Sequence, residues 1–136
     1  VLIGSRAMPK TKIPKRQGWY RMTMARCFNR IVRLPGLTAY ADTQCGFKLF
    51  TARARDEILP RLRLYRGQDG LIQEPKVTAF DVELLVVARR LGLRTDIVPV
   101  TWTFGERSKV NPIGDTITNV SDVLHVKWND LRGRYS

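Results

Sequence analysis

Two apolar periodicities alternate along this chain, one of about 2 residues and one of about 3.6, and that alternation restricts the fold more than any other feature. Val1-Leu2-Ile3 reads as the end of a buried strand stopped by Gly4-Ser5. Tyr20, Met24, Cys27/Phe28 and Ile31 then recur at helical spacing, and Pro35-Gly36 ends that run. Phe47-Lys48-Leu49-Phe50 has a strand-like centre, with Gly46 offering a bulge or a close backbone approach. Residues 52–64 read as a short helix with Pro60 near its end. A helix follows from Phe80, with Leu84, Leu85, Ala88 and Leu91 as its apolar stripe, Thr78 and Asp81 as a capping box, and Gly92 as its stop. Val98, Val100, Trp102 and Phe104 alternate with Pro99, Thr101 and Thr103 as in a half-buried strand, although Pro99 suggests an edge or a beginning. Ile113, Ile117, Val120, Leu124, Trp128 and Leu131 mark a last helix and its expected core-facing stripe. Strand, helix, strand, two helices, strand, helix is an α/β order. Three strands make a thin sheet, and the first is expected to pair with strands outside this chain.

The length of 136 residues suits one domain. Hydrophobic residues at 43% and charged residues at 26% exclude a disordered or collagen-like chain. No window approaches about 18 uninterrupted apolar residues, so no transmembrane helix is expected, and Val1–Ile3 is too short for a signal-peptide core. The chain begins without Met, which raises the expectation of a piece of a longer protein. Cys27 and Cys45 lack the spacing of a zinc site and are expected as reduced thiols. Asn119-Val120-Ser121 fits a glycosylation sequon, a pattern common by chance.

Charge is distributed unevenly. Residues 1–41 hold nine basic residues and no acidic one, whereas residues 42–136 hold 15 basic and 12 acidic. A segment so biased attracts polyanions: nucleic acid, anionic lipid headgroups or a phosphorylated ligand. The plainer reading is a solvated surface that maintains solubility. Arg26, Arg30 and Arg33 share one helix face by spacing.

Three clusters could carry chemistry. Gly4-Ser5-Arg6 follows a strand, where small residues admit a ligand and Arg supplies a forked donor for phosphate; an ordinary turn with a surface Arg is the alternative. Asp42 precedes a strand and could act as a general base or orient a hydroxyl or phosphate, or simply cap a turn. Arg107-Ser108-Lys109 lies in a loop between strand and helix, where two cations and a hydroxyl suit a diphosphate, or merely meet solvent. Asp81 and Glu83 read as helix-start carboxylates favoured by the dipole. His125 has no evident partner, and the last helix, with Trp128 and a basic end, reads as core with an interfacial role as the alternative.

Taken together, Gly-Ser-Arg at 4–6, Asp-Thr-Gln-Cys-Gly-Phe-Lys-Leu-Phe at 42–50, Phe-Asp-Val-Glu-Leu-Leu at 80–85, Val-Pro-Val-Thr-Trp at 98–102 and Ser-Lys at 108–109 resemble, in that order, the C-terminal half of a family 2 glycosyltransferase. The branch they resemble contains the dolichyl-phosphate glucosyltransferases and mannose synthases. The resemblance implies a GT-A fold, the Rossmann-like architecture of nucleotide-diphospho-sugar transferases, with residues 1–136 as its C-terminal part. It implies inverting transfer of a hexose, glucose before mannose, from UDP-glucose or GDP-mannose to a polyprenyl phosphate at the cytoplasmic face of a membrane. A divalent metal, Mg or Mn, would be held by an Asp-x-Asp motif in the preceding half, outside this chain, and the chain alone would then be inactive.

By the same resemblance Asp42 matches the active-site aspartate near the acceptor, and Arg6 and Arg21 match arginines near the acceptor phosphate. Gly4, Ser5 and Gln44 belong with the substrate-binding residues, and Ser108 and Lys109 match a loop closing on the donor diphosphate. Two departures stand out. Arg107 replaces the usual Gly before Ser-Lys, and the stretch 65–79 is longer than usual. The nine early cations would hold the protein against anionic lipid, with Trp19, Tyr20 and Trp128 as interfacial aromatics. A basic nucleic-acid-binding module, or transfer to a different acceptor, are the rival readings.

Overall fold

The structure is a computed structural model that describes residues 1–6, 23, 26–27, 30–33, 36–64, 66, 79–101 and 112–135, the side chains of 112–115 excepted. Its elements are β1 (Leu2–Ser5), β2 (Lys48–Leu49), α1 (Ala52–Ile58), a 3₁₀ turn (Leu59–Arg61), α2 (Phe80–Arg90), β3 (Asp96–Pro99) and α3 (Pro112–Leu131). Residues 23, 26–27 and 30–32 are also helical. The class is mixed α/β, as the alternating periodicities require.

The sheet runs β2-β1-β3. β1 lies parallel to β3, with Ile3 opposite Ile97 and Ser5 opposite Pro99, and antiparallel to β2, with Ile3 opposite Lys48. The first strand is therefore central in this sheet, flanked on both sides from within the chain. The expectation that it pairs with strands outside is corrected. β3 begins earlier than the alternation suggested, at Asp96, and Pro99 ends it. Its place at the edge of the described sheet agrees with a residue that cannot donate to a ladder.

Thr51 caps α1, its hydroxyl accepting the Ala54 N–H at 3.2 Å, and Pro60 converts the helix end into a 3₁₀ turn. α2 is buried continuously from Val82 to Ala88 and ends at Gly92, whose φ of +65° suits a residue without Cβ. Its N-cap is Ala79, which makes no side-chain cap bond. Of the expected Thr78/Asp81 box, Thr78 lies outside the described residues, and the Asp81 carboxylate pairs with Lys48.

Glu83 is fully buried in α2. It accepts the N–H groups of Arg63 and Leu64 at 2.8 and 3.0 Å and the Tyr135 hydroxyl at 2.8 Å. It is therefore more than the dipole-favoured carboxylate expected from sequence, because it pins the segment after α1 and the end of the chain to one helix. Burial pushes the Tyr135 hydroxyl up, and donation to Glu83 adds to the effect. Asp130 of α3, also buried, receives the guanidinium groups of Arg89 and Arg90 and locks α2 to α3.

The last helix corrects a sequence expectation. Its buried arc holds Asn119, Val123, Val126 and Asp130, while Ile117, Leu124, Trp128 and Leu131 are exposed. Of the expected core stripe these four face outward and Val120 is half-buried, while the side chain of Ile113 lies outside the described residues. The inner arc escaped notice because two of its residues are polar, and each is satisfied by a partner: Asn119 by Gln44, Asp130 by the two arginines. A buried, hydrogen-bonded Asn119 also fails the accessibility that the sequon would need.

Candidate active site

The parallel pair β1/β3 brings its C-terminal ends together at Ser5 and Pro99, the end at which open α/β sheets bind ligands. Gly4 is the residue that lets the next loop approach. A Cβ there would lie 2.6 Å from Val100 Cγ1, 3.0 Å from Cys45 Sγ and 3.1 Å from Phe47 Cβ. Its N–H donates to the Phe47 carbonyl at 2.9 Å. Gly46, where a close approach was expected, faces open space. The small residue is required on the strand and not on the loop.

That approach delivers Asp42 to Arg6. The Arg6 Nε and one Nη donate to the two carboxylate oxygens at 2.7 and 2.8 Å, and the Arg6 backbone N–H donates to Oδ2 at 2.9 Å. This is a bidentate fork with a third bond, the strong form of an Arg–carboxylate contact. Asp42 is only 8% exposed. Burial works to raise its carboxyl, but the bonds from Arg6, the Arg6 charge and the Gln44 backbone N–H outweigh burial and hold it below the usual carboxylate range. The hydrogen bond to Asp42 likewise raises the Arg6 guanidinium, against its partial burial. An aspartate held ionised by a fork is a poor proton acceptor and a good positioner.

The loop carrying Asp42 is anchored from below. Thr43 and Cys45 are buried, and the Gln44 amide donates to Asn119 of α3 at 3.4 Å. Lys48, in β2, is the residue the sequence reading passed over. Its side chain is 5% exposed; the ammonium lies 2.9 Å from the Asp81 carboxylate and donates to the Cys45 carbonyl at 2.6 Å. Phe47 and Leu49 point outward, so β2 turns its cation inward and its apolar residues to solvent. The ion pair links the 42–50 block to the 80–85 block through the first turn of α2. The charge of Asp81 also helps, as a minor cause, to raise the Arg6 guanidinium. The signal available in the sequence was a lysine between two apolar residues in a strand of period 2.

The structure thus brings Gly4, Ser5, Arg6, Asp42 and Gln44 together. Arg21, Arg107, Ser108 and Lys109 lie outside the described residues. Among the described residues no group of three or more His, Cys, Asp or Glu is placed to hold a metal ion. Asp42, with both oxygens engaged by Arg6, does not fit that task as it stands. Cys27 is exposed, Cys45 is buried, and both are free thiols. Among the described residues no helix is long and apolar enough to cross a membrane.

No protein-family model matches the chain, and no solved structure matches it. Curated proteins do. A dolichyl-phosphate β-glucosyltransferase of Dictyostelium discoideum is 29% identical over 134 residues, 98% of this chain and 38% of that protein. Proteins of the same name from Saccharomyces cerevisiae and Drosophila melanogaster are 32% and 34% identical, each over 99% of this chain and over 37% and 38% of their own lengths. The chain therefore spans a little over a third of the length of these relatives. The nucleic-acid reading is not favoured by them. Over nearly its whole length, the chain is homologous to a part of the dolichyl-phosphate β-glucosyltransferases.

Proposed function

We propose that this chain is the acceptor-side part of a glycosyltransferase that moves glucose from a nucleotide sugar to a polyprenyl phosphate such as dolichyl phosphate. The observation that carries the reading is the Arg6–Asp42 fork at the C-terminal end of β1, in a chain whose relatives bear that activity in their names. An arginine pre-set by a buried carboxylate loses little freedom when it meets a phosphate, and its charge favours the ionised ligand.

In this reading a phosphate oxygen of the acceptor attacks the anomeric carbon of the sugar. A C–O bond forms there, the bond to the nucleoside diphosphate breaks, and the configuration inverts. The phosphate monoester is already ionised, so no base has to remove a proton. The depressed Asp42 carboxyl accords with that: it holds Arg6 in place and stays charged. Gln44 and Lys48 keep the loop in register through Asn119 and Asp81. Ser108 and Lys109, with Arg107 beside them, are assigned to the leaving diphosphate, and Arg21 to the acceptor phosphate, by resemblance.

The domain reading accompanies this. Residues 1–136 form the C-terminal part of one GT-A catalytic domain, and the donor and divalent metal are held elsewhere in a longer protein. Among the described residues no group of three or more His, Cys, Asp or Glu is placed to hold that ion. Glucose is favoured over mannose by the names of the relatives. The site is placed at the cytoplasmic face of a membrane, where the polyprenyl chain would lie.

The test is transfer itself. Protein expressed from the complete reading frame is incubated with Mg²⁺, polyprenyl phosphate and labelled UDP-glucose or GDP-mannose, and label is counted in the lipid phase. Label from UDP-glucose, lost in Arg6→Ala, supports the reading. Label from GDP-mannose alone changes the sugar, and label from neither refutes the acceptor.

A further inference from the structure

We propose that Lys48 is a positioning residue of the acceptor site: paired with Asp81, it fixes the turn that carries Asp42 to Arg6. The inference deepens the function proposed above and rests on that reading for the identity of the acceptor. The Lys48 side chain is 5% exposed, against 35% or more for the other cations in the described ion pairs. Taking an ammonium out of water is costly, and an apolar side chain of that length would fill the space at lower cost. Sequences depart from the cheaper choice where function requires it. Burial of this kind does not depend on what packs outside it.

The contacts of this lysine indicate its task. The ammonium donates to the Cys45 carbonyl at 2.6 Å, which closes the turn from 45 to 48. It lies 2.9 Å from the Asp81 carboxylate, which anchors that turn on the first turn of α2. Lys48 also stands opposite Ile3 in the β1/β2 ladder, and the neighbouring Phe47 carbonyl accepts the Gly4 N–H at 2.9 Å. The turn is thus fastened to a helix on one side and, on the other, to the strand that leads into Arg6. Asp42 stands three positions before Cys45, so a turn that shifts carries the carboxylate with it. The two-bonded fork between Asp42 and the Arg6 guanidinium tolerates little displacement. Both described bonds of the ammonium are to the protein, so Lys48 acts through Arg6 and not on the phosphate itself.

The test uses protein from the complete reading frame. Lys48→Met strands the Asp81 carboxylate, whereas K48M/D81N strands no charge, so the double variant is expected to regain most of the thermal midpoint that the single one loses. It is not expected to regain the acceptor. The KM for polyprenyl phosphate should stay raised by about tenfold in both variants, with the KM for the donor within about twofold of the parent. Lys48→Arg, which keeps a cation, should recover most of the acceptor KM. In an Arg6→Lys background K48M/D81N should add less than about twofold. One readout needs no turnover: carbon-13 NMR of the Asp42 carboxyl. Its titration should move up toward the ordinary carboxylate range in K48M/D81N as the fork loosens, and stay in place in Arg53→Met, which breaks an exposed pair on α1. An acceptor KM that recovers together with the midpoint overturns the proposal, since the pair would then only hold the fold. So does an unmoved Asp42 titration, or an undiminished cost in the Arg6→Lys background, because Lys48 would then not act through the fork. A parent that transfers no sugar refutes the catalytic reading, and the Asp42 titration then decides this one by itself.

Discussion

Replacing Asp42 by asparagine isolates the central pair. The carboxylate accepts three hydrogen bonds from Arg6, at 2.7, 2.8 and 2.9 Å. An amide keeps one acceptor oxygen and turns two N–H donors toward the site, so at most part of the fork survives. Bonds to charged groups contribute about 1.5–3 kcal/mol each, and breaking a buried pair costs about 3–5 kcal/mol. The Arg6 side chain is 35% exposed and can recover water, so the cost falls below that of a fully buried pair, to about 2–3 kcal/mol. Urea unfolding near neutral pH measures this directly. The pH dependence supplies a second check. Asp42 has its folded carboxyl below the reference value of 3.8, so its contribution is complete above that pH and is lost as pH falls through the lower folded value. The gap between the parent and Asp42→Asn is expected to hold from neutral pH down to about pH 4 and to close below it. A gap under about 0.5 kcal/mol at neutral pH, the size of an ordinary surface substitution, would refute the reasoning. So would a gap that stays constant into strong acid.

Further expectations follow from the same contacts. Gly4→Ala forces a Cβ to within 2.6 Å of Val100 Cγ1 and should cost about 1–3 kcal/mol, whereas Gly46→Ala, in open space, should stay within about 0.5 kcal/mol; comparing their unfolding midpoints tests both. Tyr135→Phe removes the bond to Glu83 and should lower stability by about 1 kcal/mol in urea. Glu83→Leu strands two backbone N–H donors and the tyrosine hydroxyl, so a loss of more than about 3 kcal/mol is expected, read as a collapse of the thermal transition. Lys48→Met leaves the Asp81 carboxylate without its buried partner and should raise the KM for polyprenyl phosphate more than the KM for the donor.

Legibility followed the range of the interactions. Helix ends were readable because Pro60 and Gly92 act locally, through a missing donor and a positive φ. The choice of buried face was not, in two elements. α3 carries apolar residues on two arcs, and periodicity alone favours the richer one. The core took the arc of Val123 and Val126, because Asn119 and Asp130 on that arc find Gln44, Arg89 and Arg90 far along the chain. β2 reverses in the same way, since Lys48 turns inward to an aspartate 33 positions later. The candidate site was legible as three motifs, but that Arg6 and Asp42 clasp one another depends on Gly4 admitting the loop. Spacing by itself does not reveal that contact.

The most direct test of the central claim, that Asp42 acts by holding Arg6 for the acceptor phosphate, is a double-mutant cycle. Arg6→Lys, Asp42→Asn and the pair together are compared for kcat/KM toward polyprenyl phosphate, in protein from the complete reading frame. If Asp42 works through Arg6, the second change should cost little once the first is made, with a coupling of about 1–3 kcal/mol between them. Costs that simply add would contradict the account, because each residue would then act on the reaction alone.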